Sequence, residues 1–107
     1  LQYFKKNYSI ALMIDQRVSE GIKLNFYERP AFTTTIPAQL VKKYKCKIVP
    51  IYIERINKVN YKMFVNNPIT FNETSTIESI TVELNNWLEK MIRKNPSQWI
   101  WSHDRWK

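Results

Sequence analysis

The clearest periodicity in the chain lies between Ile77 and Ile92, where Ile77, Ile80, Leu84, Trp87, Leu88, Met91 and Ile92 recur at three- and four-residue intervals. That spacing gathers them on one face of a helix. Ser75-Thr76-Ile77-Glu78 stands in front of the stripe in the form of a capping box, and Asn95-Pro96 stops it, because proline cannot continue the helical ladder. Glu89 and Arg93, one turn apart, fall on the wet face. A second helix is predicted from Thr35 to Tyr44: Thr34 or Thr35 serves as the hydroxyl cap and Pro37 is tolerated in the first turn. Lys42, Lys43 and Lys45 complement the negative end of its dipole.

Other apolar runs carry strand signals. Ile10-Ala-Leu-Met-Ile14 is continuous and breaks off at Asp15-Gln16-Arg17, which predicts a strand buried on both faces that emerges into a polar loop. Lys23 to Tyr27 alternates polar and apolar as a second strand would, just after Gly21, the only glycine. Lys47 to Arg55 and Tyr61 to Val65 are strongly β-prone, and Asn57-Lys-Val-Asn60 supplies turn residues between them, so an antiparallel hairpin is predicted. Pro50 has no N–H for a ladder and belongs at an edge or a bulge. The order is strand, strand, helix, hairpin, long helix, then a tail, which is an α/β sequence.

That tail, Pro96 to Lys107, interleaves Trp99, Trp101 and Trp106 with His103, Arg105 and Lys107. Indoles beside cations suit a boundary between apolar and anionic surroundings. Two readings stand. In one, a C-terminal helix tucks its Trp residues under the domain as a clasp. In the other, Trp99, Trp101, Arg105, Trp106 and Lys107 rest on an anionic membrane surface, with indoles at headgroup depth and cations on phosphates.

A chain of 107 residues forms one domain or part of one, with a modest core. Its longest apolar runs fall far short of the roughly 20 residues that span a bilayer. No secretory pattern opens the chain, and Leu1 in place of Met suggests that an earlier segment is missing. Seventeen Lys and Arg against nine Asp and Glu give a net charge of +8, which attracts phosphates and anionic lipids alike. The single cysteine, Cys46, excludes an internal disulfide and a cysteine-cluster metal site. A small basic nucleic-acid module is the competing class, because Lys42 to Lys62 is rich in cations and contains Tyr44, Tyr52 and Tyr61. Strand alternation would divide those cations between two faces, and no RNP, KH or zinc motif is present, so nucleic acid is the weaker expectation.

The tail, written Pro-x-Gln-Trp-x-Trp-x-His-x-Arg-Trp-Lys, resembles the C-terminal signature of the bacterial lipid A biosynthesis acyltransferases. Further blocks follow in that family's order: Asp15-Gln16, Gly21, Phe26-Tyr27, Arg29-Pro30-Ala31, Thr33 to Thr35 with Pro37-Ala38, and Ile48-Val49-Pro50 followed by Arg55. Three positions depart from the usual pattern: Ser97 for Glu, Asp104 for a basic residue, and Glu28 for the Gly that normally follows the two aromatics. The resemblance implies the C-terminal half of a glycerolipid-acyltransferase-like mixed sheet with flanking helices, residues 1–107 forming one partial domain. It implies transfer of a fatty acyl chain from acyl carrier protein to a hydroxyl of a lipid A precursor, at the cytoplasmic face of the inner membrane. No metal or organic cofactor is implied.

That chemistry depends on a His-x4-Asp/Glu pair, in which the carboxylate holds a His that takes the acceptor proton. The sequence does not contain it. His103 is the only histidine, and Ser102-His103-Asp104 cannot form a relay because adjacent side chains diverge. By the resemblance no catalytic residue lies here, and the pair belongs to an earlier segment. The expected contribution is substrate binding: Asp15 and Gln16 at a strand end, Arg29, Thr33 and Thr34 around a helix N-terminus that favours anions, Phe26 and Phe32 along an acyl groove, and Arg55. The plain alternative is that Phe26 and Phe32 are core, Thr35 only caps its helix, and Asp15 pairs with Arg17 or a loop amide. Lys42, Lys43 and Lys45 are candidate contacts for acidic acyl carrier protein.

Overall fold

A computed structural model describes residue 2 and residues 4–107. The class is α/β, but the strands form two separate antiparallel pairs rather than one mixed sheet. The first pair is β1 (Ile22–Phe26) with β2 (Arg29–Thr33), in the register Ile22 to Thr33 and Phe26 to Arg29. Its two-residue turn places Tyr27 at φ 48° and Glu28 at φ 62°, the left-handed conformation that a tight hairpin demands. The turn itself needs positive φ, which glycine would adopt without strain at the position of Glu28. Anchoring on the long helix offsets the strain, since the Tyr27 N–H donates to Glu89 Oε1 at 2.7 Å and the Tyr27 hydroxyl to the Glu89 carbonyl at 3.1 Å.

Gly21 enters β1 pressed against β2. A Cβ built there would lie 2.1 Å from the Thr33 carbonyl oxygen, so close approach rather than a special dihedral reserves the position for glycine.

The first helix, α1 (Ile36–Tyr44), and the second, α2 (Ile77–Lys94), follow the predicted periodicity. The capping box lies one residue later than Ser75 and Glu78 would place it: Thr76 Oγ1 accepts from the Ser79 N–H at 3.0 Å, and Ser79 Oγ accepts from the Thr76 N–H at 2.9 Å. Glu78 sits in the first turn, where its charge still complements the dipole. Two small cores share α2. Toward its N-terminal end Ile80 and Leu84 pack with Ala38 and Val41 of α1, and further on Leu88 and Ile92 pack with Phe26 and Ala31 of the first hairpin.

The second hairpin, β3 (Ile51–Arg55) with β4 (Tyr61–Val65), is the predicted one, in the register Ile51 to Val65 and Arg55 to Tyr61. Its outer face carries Ile51, Ile53, Tyr61, Met63 and Val65, all exposed, with Met63 at 61% and Val65 at 63%. The radius of gyration, 14.7 Å, exceeds the roughly 13 Å of a compact domain of this length, in keeping with that uncovered layer.

Ile10 to Ile14 is not a strand. It runs without a ladder partner, with Met13 82% exposed, and only Ile14 reaches the cores. The continuous apolar run was the signal for burial on both faces, and within the described residues neither face is covered. The tail differs too: a single 3-10 turn over Pro96–Gln98 gives way to irregular bends, so the clasp is not helical.

Candidate functional site

The tail wraps back over the first hairpin and converges on Phe26. Around that ring lie Tyr27 at 5.0 Å, Trp106 at 5.7 Å and Trp99 at 5.9 Å between centroids, and the Trp106 indole N–H donates to the Phe26 carbonyl at 2.9 Å. Trp99 and Trp106 are thereby half-buried. Trp101, by contrast, is exposed, its indole N–H returning to the Pro96 carbonyl. Ile100, Trp101 and Lys107 face outward.

Arg105 is the centre of this arrangement. Although charged, it is fully buried, its guanidinium 5.0 Å from the Phe26 centroid, donating to the Phe32 carbonyl at 2.6 Å and to Thr33 Oγ1 at 2.9 Å. Among the described residues its Nε has no hydrogen-bond partner. Burial pushes its proton affinity down from the usual guanidinium range, and the negative charge of Asp15 opposes that shift. Thr33 is correspondingly saturated: its hydroxyl donates to the Ala31 carbonyl and accepts from both Arg105 and Asn85.

The structure thus brings Phe26 and Thr33 to Arg105, with the charge of Asp15 acting on the guanidinium, while Arg29 lies at the turn end of the hairpin, 5.3 Å from the Trp106 ring. Thr34 adjoins, its Oγ1 accepting from the Ile36 N–H, while Thr35 Oγ1 accepts from Gln39 rather than capping the helix. Gln16 is exposed on the loop after Asp15. Arg17, weighed as a partner for Asp15, instead donates to the Lys107 carbonyl at 2.7 Å and lies over Phe32. Arg55 lies apart on β3, over Tyr61, its N–H given to Gln98 Oε1.

Gln98 appeared in the sequence only as the Gln of the tail signature, with no role assigned. Its side-chain amide accepts from Arg55 and donates to the Ile53 carbonyl at 3.3 Å, occupying an edge of β3 as a short strand would. The cations divide as alternation requires, with Arg55 on the outer face and Lys62 on the inner, and Tyr52 is engaged with Phe64 and Asn95. They form no common stacking platform. Lys42 donates to the carbonyls of Glu73 and Ser75, and Lys45 pairs with Glu73 at 3.8 Å, beside a cavity of about 220 Å³ that Val41, Cys46 and Phe71 also line.

Ser102, His103 and Asp104 form no relay: His103 Nε2 accepts from the Arg17 N–H at 3.4 Å and Asp104 Oδ1 from the Trp106 N–H. No group of metal-binding side chains occurs among the described residues, and none of their helices is long and apolar enough to cross a membrane. No curated protein matches the chain. One family does, over residues 1–107, and with its match spanning the whole length the chain belongs to the bacterial lipid A biosynthesis acyltransferases.

Proposed function

We propose that these residues form the substrate-holding part of an enzyme that moves a fatty acyl chain from acyl carrier protein to a hydroxyl of a lipid A precursor at the cytoplasmic face of the inner membrane. The observation that carries the reading is the family match over the whole chain. The proton-abstracting His and its carboxylate come from another segment of the same enzyme, which covers the outer face of β3 and β4. The exposed row of Ile51, Ile53, Met63 and Val65 supports this, because a contiguous apolar strand face left uncovered marks a surface that another layer covers.

In this reading Asp15, Gln16, Arg29 and Thr34 contact the acceptor, over a floor made by Phe26 and Thr33, and Arg55 adds a cation on the second hairpin. Trp101 and Lys107 meet anionic lipid, while Trp99, Arg105 and Trp106 root the tail that presents them. Lys43, exposed on α1, suits the acidic carrier protein, with Lys42 and Lys45 beside it. The test is acyl transfer from acyl carrier protein to a lipid A precursor by the intact enzyme and its Asp15→Ala variant. A sharp fall in a protein that keeps its thermal stability is expected, and activity near the parent's level removes Asp15 from the site. Liposome co-sedimentation tests the tail: unchanged binding to anionic vesicles after Trp101→Ala rejects its membrane role.

A further inference from the structure

Arg105 poses a question that packing alone does not answer. A guanidinium withdrawn from water into an aromatic cluster is expensive to bury, and apolar side chains of similar volume commonly do as well or better in such places. Here the charge is only partly satisfied, since Nη1 and Nη2 each have an acceptor within 3 Å while Nε has none among the described residues. What the two bonds reach is specific. Phe32 and Thr33 are the last residues of β2, directly before the Thr34-Thr35 junction and the first turn of α1.

Three other contacts tie the same tail to this hairpin and to the loop before it. Trp106 donates to the Phe26 carbonyl at 2.9 Å, Arg29 lies over the Trp106 ring, and Arg17 reaches the Lys107 carbonyl at 2.7 Å. The loop after Asp15, the Tyr27-Glu28 turn and the end of β2 are therefore held in register by residues 99–107. The bonds span 72 and 73 positions of sequence, so neither strand can hold this geometry locally.

We infer that Arg105 is a positioning residue of the acyl-transfer site, fixing the β2–α1 junction and the loop at Asp15 in the arrangement that receives the acceptor. It acts through the Phe32 carbonyl and the Thr33 hydroxyl and touches no reacting atom. The inference rests on the acyltransferase reading above.

Arg105→Met and Arg105→Lys, made in the intact enzyme, test it in two ways. Amide hydrogen exchange of Arg105→Met should quicken across residues 22–34 while the middle of α2 keeps its protection. In the enzyme, the KM for the lipid acceptor should rise by on the order of tenfold or more, as a misplaced binding surface does, with kcat changed much less. Arg105→Lys, which keeps the charge but not the two-pronged geometry, should fall between the parent and Arg105→Met. Uniformly faster exchange throughout the chain, or an unchanged KM in Arg105→Met, overturns the inference. If the parent enzyme transfers no acyl group, the functional reading fails. The exchange pattern then decides separately whether Arg105 holds the hairpin.

Discussion

Replacing Thr33 with valine keeps the outline of the side chain and deletes one hydroxyl, at a place where that oxygen serves three partners. Thr33 is 2% exposed, so its hydroxyl is shielded from solvent. The loss strands Arg105 Nη2, which bonds it at 2.9 Å, and Asn85 Nδ2 at 3.4 Å. A buried donor left without an acceptor costs about 1–3 kcal/mol, and more when charged. The Asn85 contact is long and adds little, so Thr33→Val is expected to destabilise the chain by about 3 kcal/mol, a large share of the 5–15 kcal/mol typical of a domain. Thr33→Ser keeps the oxygen and loses one methyl, at about 1 kcal/mol. Urea unfolding followed by Trp fluorescence measures both variants. Equal stabilities for Thr33→Val and Thr33→Ser would refute the claim that this hydroxyl is the acceptor for a buried guanidinium.

Gly21→Ala should open the β1–β2 pairing at Thr33, because the new Cβ would meet backbone that cannot yield; a loss of stability far beyond the ordinary glycine-to-alanine range, seen in the same unfolding assay, checks it. Glu28→Gly should be neutral or stabilise by up to about 1 kcal/mol by relieving the positive φ of the turn, and a clear destabilisation would show that the Glu28 side chain has a role of its own. Burial raises the Tyr27 hydroxyl above its ordinary value of 10.0, with Arg93 opposing. Because the folded state holds that proton more tightly, its contribution is complete below the unfolded value and is lost as pH climbs through the folded one. An ultraviolet titration should show a late-ionising phenol that vanishes in Tyr27→Phe.

Elements whose signal is local were legible from the sequence: the α2 stripe, the cations ending α1, and the alternation of β3 and β4. Strand β2 was not, because Arg29-Pro30-Ala31-Phe32-Thr33 contains a proline and follows a turn without Asn or Gly. An edge position and the hold of Glu89 on Tyr27 make that turn possible, and both are tertiary facts. Ile10 to Ile14 shows the opposite error, since a continuous apolar run reports a preference for burial and not the presence of a cover. In the candidate site, Asp15, Phe26, Arg29, Thr33 and Thr34 were named from order and chemistry; Phe26 and Thr33 meet at Arg105, whereas Arg29 lies at the other end of β2 from Thr33. Arg105 was read as a surface cation because a charge among indoles suits a wet boundary. Its inward turn depends on a carbonyl and a hydroxyl more than seventy residues away. The hold of Gln98, a position of the tail signature, on the edge of β3 was not legible for the same reason.

Because α2 serves as a party wall, neither core is expected to melt on its own. Leu84 and Leu88 lie one turn apart on that helix yet belong to opposite cores, with Asn85 between them bonded to β2. A defect planted beside α1 should therefore be felt at the first hairpin, and calorimetry should record one transition where the layout of two small cores would suggest a pair.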